Sequence, residues 1–524
     1  MKILYLSVLT VVFGYTSKAQ DLSTTMHISA GTTAIVSSGT MLSASEINLK
    51  STSNRFACLF LNEALEASTV VNYDRYVNVI GTSSGSGNDL IALPVKTLTD
   101  PTFSNFLSYT DGINANSVII PNAPSLPTLY AFGPYDNVNQ SYINYNTAVD
   151  GGALLERGVG YRAASYSGQT VRFTGTVSMV SESVEISTNN NNWNLIGNPY
   201  PTFIDSQDFL TVNSGVLDPN AVAIYAYNSG TNTDLGPGTF GDFTIINSLT
   251  NTDINIAPGQ GFLVANDPAD PTNLISFTTA MRTPDGTDDF ILGRDANPTQ
   301  MLRLQIENET ENFATEIYFN DNSTLGLDLG YDAALYNGAG YNLSLYSHLV
   351  ENNNGKAMAI QSLGLNNLND IIIPLGVKVA QGQQITFSIE RSTLSDAIEI
   401  YLEDRQTNVF TLLNANDYAF TANTNVSGTG RFFLRFENNS LSTTEVTTEI
   451  LQIFADKKML VINGHLLADT TVSVYDIQGR LVLSSVLTGI SESNTIDASN
   501  LSEGMYVVKL NNTVQQQTKK VIFK

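Results

Sequence analysis

One cysteine, three histidines and one tryptophan in 524 residues leave little of the material from which catalytic and metal sites are usually built. Cys58, in RFACLFL, has no partner within the chain, so no internal disulfide holds the fold. Its apolar neighbours mark a buried small side chain rather than a nucleophile. His27, His348 and His465 stand far apart, and none has a second histidine or a cysteine at ligand spacing. Charged residues are 14%, well under the usual quarter. Ser, Thr, Asn and Gly take their place, a mix that suits short strands and turns better than long helices. No long amphipathic helix is expected, and Phe60–Ser68 offers two helical turns at most.

Positive charge is scarcer still, 25 Lys and Arg against 49 Asp and Glu, for a net charge of −24. Thr448–Lys524 holds seven basic and seven acidic residues and is neutral. Two lysines, Lys2 and Lys18, fall in the first nineteen residues. Gln20–Thr447 therefore keeps 16 basic and 42 acidic residues, a net of −26. Such a body repels nucleic acid and anionic membrane surfaces, so no nucleic-acid partner is expected. The acidity fits solubility in salty surroundings, with calcium sites as the alternative.

What is present begins with MKILYLSVLTVVFGYTSKAQ: basic Lys2, an apolar stretch Ile3–Phe13 too short to span a bilayer, then small and polar residues. Ser17 and Ala19 occupy the −3 and −1 places of a signal-peptide site, predicting cleavage between Ala19 and Gln20. No cysteine follows for a lipid anchor.

Beyond this signal peptide (1–19) the pattern predicts an all-β, multidomain chain. Residues 20–71 read as short strands with tight turns, stacked in a short solenoid or added to the next sheet. Residues 72–283 carry longer β-runs, among them TVRFTGTVSMV and GQGFLVAN, with turn residues every eight to twelve positions, as in a β-sandwich. Residues 284–300, rich in Pro, Gly and Asp, read as a linker, and 301–437 as a second β-sandwich in which QITFSI alternates with period two. Residues 438–448 form a polar linker, and 449–524 a small terminal sandwich.

Candidate chemistry is thin. Gly81–Asp89 (GTSSGSGND) could cradle phosphate only ahead of a helix, and a strand-like LIALPV follows. On Ile398–Asp404, alternation puts Glu399, Tyr401 and Glu403 on one face. The two glutamates are then about 13 Å apart along the strand, wide for a glycosidase pair. An acidic outer face over an apolar inner one explains the same pattern. PDGTDD (Asp285, Asp288, Asp289) and DLGYD (Asp328, Asp332) are dense enough for a surface cation, but the D-x-D-x-D-G loop is missing. Trp193, entering a Pro/Gly turn, reads as core. Tyr142 and Tyr145 could stack on sugars. No cofactor, metal ligand or catalytic residue is assigned, and the chain is expected not to be an enzyme.

The terminal segment is more specific. Val472 and Val474 alternate with Ser473 and Tyr475, the chain turns through Asp476–Gly479, and it returns as Arg480–Leu483. Val474, Tyr475 and Asp476 with Gly479 and Arg480, then Leu501, Gly504, Tyr506, Val508 and Lys509, then the basic end with Lys519 and Lys520, resemble the type A C-terminal sorting domain of the type IX secretion system of Bacteroidetes-like bacteria. The three blocks stand in the right order behind a signal peptide, over about a seventh of the chain. The resemblance implies an Ig-like terminal fold, export through the periplasm by the type IX machinery, and delivery to the medium or the outer cell surface. It also implies tail removal, with attachment to surface lipopolysaccharide as one outcome. YDRYVN, GVGYRA, WNLIGNPYP and IAPGQGFLVAN, with YLEDRQTNVFTLLNANDYAF and GRFFLRF, resemble β-rich surface cargo of the same group, a class that brings no assigned activity. The reading that results is a secreted or surface-displayed, adhesin-like or structural β-protein with a glycan, host or matrix ligand unknown. A glycan-binding or nutrient-capture module is the alternative, and a hydrolase with an unrecognised carboxylate pair comes after it.

Overall fold

The computed structural model describes residues 24–79, 88–97, 100–117, 128–165, 168–187, 193–228, 242–270, 272–286, 300–336, 341–368, 371–438, 452–463, 466, 468–488, 493–512 and 516–523. Strands hold 53% of the described residues and helices 6%, so the fold is all-β. The signal peptide with Ala19 and Gln20, most of both expected linkers, Gly81–Gly87 of the glycine-rich loop, Asp288, Asp289 and His465 lie outside the described residues. Two compact units are present, Met1–Asn438 and Asn439–Lys524.

The larger unit begins with parallel stacking. Strands Thr25–Ile28, Glu46–Thr52 and Val70–Val77 lie side by side in register, Met26 beside Ile47 beside Val71. Thr33–Val36 stacks likewise on Cys58–Leu61. Short strands with one apolar face cannot bury it alone, and stacked rungs supply the cover. The border expected at 71/72 therefore falls inside a strand. Val70–Val77 also pairs antiparallel with Gln169–Thr176, so both expected readings of the first segment hold at once: rungs, and an addition to the next sheet. Its inner face packs Ile47, Leu49, Val71, Tyr73, Val171 and Phe173.

Among the described residues one long helix was not foreseen, besides the short Thr147–Asp150 and Ser206–Asn213. Phe103–Ser117 is fifteen residues long and lies against Gln169–Thr176, while 60–68 forms no helix. Gly112 and the asparagines weaken its local propensity, but Phe103, Phe106 and Leu107 bury on one side. Asn114 fixes it: its side chain donates to the Phe106 and Arg172 carbonyls and accepts the Arg172 N–H at 2.8 Å. Tertiary contact supplies what propensity lacks.

Residues 300–438 form an eleven-stranded sheet whose two halves face one another across one core. Strands Asn312–Asn320 and Val426–Asn438 are well separated in the sheet, yet Phe319 and Phe436 meet at 5.1 Å. Phe387 and Phe432 meet at 4.9 Å in the same way. Ile385 and Phe387 point inward, as the period of two requires. This sandwich is not separate from what precedes it. Trp193 packs edge-on against Tyr225 and Tyr336, and the Tyr225 hydroxyl donates to the Ala334 carbonyl at 2.6 Å.

The smaller unit has sheets of three and four strands around one core. The four-stranded sheet runs Leu481–Leu487, Thr470–Tyr475, Gly504–Asn511, Gln516–Phe523, all antiparallel.

Candidate functional site

The three terminal blocks converge in that small unit. Val474 and Val508 lie opposite one another on neighbouring strands, both fully buried. Asp476 organises the turn that follows. Its backbone N–H donates to the Arg480 carbonyl, and its carboxylate accepts the N–H groups of Gln478 and Arg480 at 2.9 and 3.0 Å and the Arg480 guanidinium at 2.7 Å. The backbone N–H of Arg480 leads the causes that hold this carboxyl below its ordinary range. Gly479 donates to the Asp476 carbonyl and takes φ +79°, which an L side chain resists. Local sequence therefore dictates this turn.

The second block is a clamp. The Tyr506 hydroxyl donates to the Ser502 carbonyl at 2.9 Å, four residues upstream, and its ring meets Phe523 edge-on at 5.6 Å. A tyrosine hydroxyl returning to nearby backbone is a device of Ig-like sandwiches. Gly504, at φ +153°, opens the strand and pairs with Phe523. Leu501 is buried, and its carbonyl accepts the ammonium of Lys458, a residue the sequence reading did not single out. In the third block Lys519 lies opposite Val508 and Lys520 opposite Val507, both lysines exposed. Lys509 is half-buried beside Ser473 and Thr518, and Tyr475 is half-buried between Leu481 and Val507. The twelve residues are thus turn formers, core and outer face of one domain.

In the larger unit the candidate sites dissolve into structure. Glu399, Tyr401 and Glu403 do share the outer face, but each carboxylate has its own partner. Glu403 accepts both Nε and Nη2 of Arg435, at 2.9 and 2.6 Å, and also Nε of Arg405. Glu399 accepts the Tyr401 hydroxyl at 2.8 Å. Asp404 takes a bidentate Arg431 at 3.0 and 2.7 Å and the Tyr418 hydroxyl at 2.7 Å. Burial alone would raise the Asp404 carboxyl; the bonds from Arg431 and Tyr418 outweigh it and hold it low. Asp332, almost fully buried, accepts the Asp328 and Ser362 N–H groups, while Asp328 accepts from Thr324. Asp328 serves its own loop, and Asp332 also fastens that loop to the strand Met358–Gly364. Burial is the main cause that pushes Asp332 up to about 7. Among the described residues no three His, Cys, Asp or Glu side chains gather as a metal site would need.

Cys58 is buried, and burial pushes its thiol up to about 12, so it stays protonated and inert. His27 is exposed on an edge strand, and His348 is buried beside the Tyr346 ring. A strand, Asp89–Ala92, follows the glycine-rich loop, which removes the phosphate reading. Tyr145 is not exposed: it packs against Phe103 at 5.0 Å. Tyr142 is half-buried in a seam with Tyr135, with the Arg162 guanidinium 4.8 Å over its ring. Tyr227, Phe243 and Tyr336 form a second ring chain, joined to Tyr135 where its hydroxyl meets that of Tyr336 at 3.4 Å. A shallow hollow lined by Leu93, Pro101, Phe106, Leu155 and Phe173 has a volume of about 10 Å³, room for at most one water.

Compared with known proteins, residues 161–436 match the family described as a domain of unknown function (DUF8693). Residues 456–524 match the secretion system C-terminal sorting domain. No curated protein matches the chain.

Proposed function

Because the chain belongs to the DUF8693 family and is cargo of the type IX secretion system, exported to the cell surface or the extracellular space, we propose that its body is a non-enzymatic, adhesive or structural β-protein. The observation that carries this reading is the fate of the acidic side chains. Glu399, Glu403 and Asp404, the densest acidic strand in the body, are each engaged: Arg435 and Arg431 of the neighbouring strand hold Glu403 and Asp404, and Tyr401 of the same strand holds Glu399. Carboxylates spent in this way stiffen a sheet, and a general acid or base must instead meet a substrate proton. After tail removal the body is either released or attached to surface lipopolysaccharide.

A second reading, glycan capture, draws on the aromatic seam of Tyr135, Tyr142, Tyr227, Phe243 and Tyr336 beside Arg162. Tyr135, Tyr142 and Tyr227 are half-buried, over a buried Tyr336, and such tyrosines offer both a ring face and a hydroxyl to a sugar. A binding screen of the exported body against matrix proteins and a glycan array separates the two. Matrix-protein binding unaffected by Tyr142→Ala supports adhesion. Glycan binding lost in Tyr142→Ala supports capture. Turnover of an arrayed glycan would refute both.

A further inference from the structure

Of the nineteen large apolar side chains left exposed among the described residues, seven lie in the sorting domain, a seventh of the chain. Six of them gather on or beside one sheet. Strand register places Leu481 beside Tyr475, Tyr475 beside Val507, and Met505 beside Ile522, all on the face turned away from the core. Leu481 is 55% exposed, Met505 48% and Ile522 56%, while Ile477 at the adjoining turn reaches 78%. At the opposite end the same face turns polar, with Ser484, Ser473, Lys509 and Thr518 in one row. Lys520, opposite Val507, and Arg480 border the apolar end, and Lys509 lies one row away. The acidic groups nearby are Asp476, which is paired with Arg480, and Glu503 before Gly504.

We infer that this apolar, basic-rimmed end of the four-stranded sheet is the surface on which the secretion machinery docks, through a protein patch that is apolar with an acidic rim. The inference rests on the sorting assignment and not on the adhesive role proposed above. Contiguous exposed apolar area marks an interaction site. Charge selects the occupant: the body, at net −26, repels an acidic partner, whereas the neutral tail with lysines on this face admits one. Two lysines and a paired arginine fall short of the four to eight basic residues of a lipid-binding cluster, which favours a protein over a membrane.

The test uses the full chain in a type IX-competent host, with surface delivery read by protease shaving and fractionation. Leu481→Ser, Met505→Ser and Ile522→Ser are combined; all three point outward, so an unchanged Tm is expected. Delivery should fall by about tenfold, equal to about 1.4 kcal/mol of docking energy, with precursor held in the periplasm. Lys509→Glu with Lys520→Glu should lower it too, and serves if the triple variant is destabilised. Val486→Ser, at the polar end of the face, should leave delivery intact. Wild-type delivery of both the triple and the charge-reversed variants, while deletion of Glu449–Lys524 abolishes it, overturns the docking surface and leaves the sorting assignment standing. Normal delivery of the deleted chain removes the sorting assignment itself. Co-sedimentation of the purified chain with phosphatidylglycerol vesicles, lost in the triple variant, would make the occupant a membrane and overturn the protein partner.

Discussion

Replacing Gly479 by valine perturbs the sorting domain in a way whose size can be worked out. The residue sits at φ +79°, and a Cβ built there meets nothing within 4 Å. The cost is therefore backbone strain alone, about 1–3 kcal/mol for a β-branched residue in the left-handed region. Asparagine tolerates that region and should cost only a fraction of this. A domain of this size is stable by about 4–11 kcal/mol, so valine weakens it without unfolding it. In purified full-length chain, the transition of the tail should drop by about 4–8 °C per kcal/mol, and by much less for asparagine. Surface delivery should follow the same order: wild type, asparagine, valine, and last the chain lacking Lys519–Lys524. Equal melting for the valine and asparagine variants would refute the strain argument. Normal delivery of a valine variant that melts lower would show that export does not depend on this turn.

Arg431→Ala should destabilise the larger unit by about 3–5 kcal/mol in urea unfolding, because it leaves the buried Asp404 charge without its cation, held only by the Tyr418 hydroxyl and the Gln406 N–H. A loss below about 1 kcal/mol would mean that the pair is solvated. Asp332 binds its proton more tightly folded than unfolded, since its carboxyl is pushed up to about 7. Its contribution thus favours the fold at low pH and is lost as pH rises from about 4 to about 7. The stability gap between wild type and Asp332→Asn should shift towards the variant over that window in pH-resolved thermal melts, and a shift the other way would refute the assignment. Asp476 runs opposite: its carboxyl is held low, so its stabilisation is present above the ordinary carboxylate range and fades as pH falls through its folded value. Acid melts of Asp476→Asn against wild type should converge as pH falls below the ordinary carboxylate range. Limited proteolysis should cut first within 284–300 or 438–448, and early cuts within Gln384–Ser392 would contradict that order.

Sequence alone determined whatever depends on neighbours along the chain. Alternation at Gln384–Ile389 set which residues face the core because a strand reverses its side chains every residue. The turn at Asp476–Gly479 was readable because it needs only one acceptor side chain and one residue free to take positive φ. The sorting blocks were recognisable for the same reason: each is short and local. What depends on distant partners was not readable. Nothing near Glu403 announces Arg435, thirty-two residues on, so the strand reads as an acidic outer face over an apolar inner one, and only the fold reveals the ion pairs on it. The helix Phe103–Ser117 stayed hidden because Asn114, a poor helix former, earns its place from Arg172 on another strand. The border at 71/72 failed because parallel rungs join strands about twenty residues apart, a register no local pattern encodes. Only the folded sheet put Leu481, Tyr475, Met505 and Ile522 on one exposed end, since adjacency across strands is set by pairing and not by sequence order.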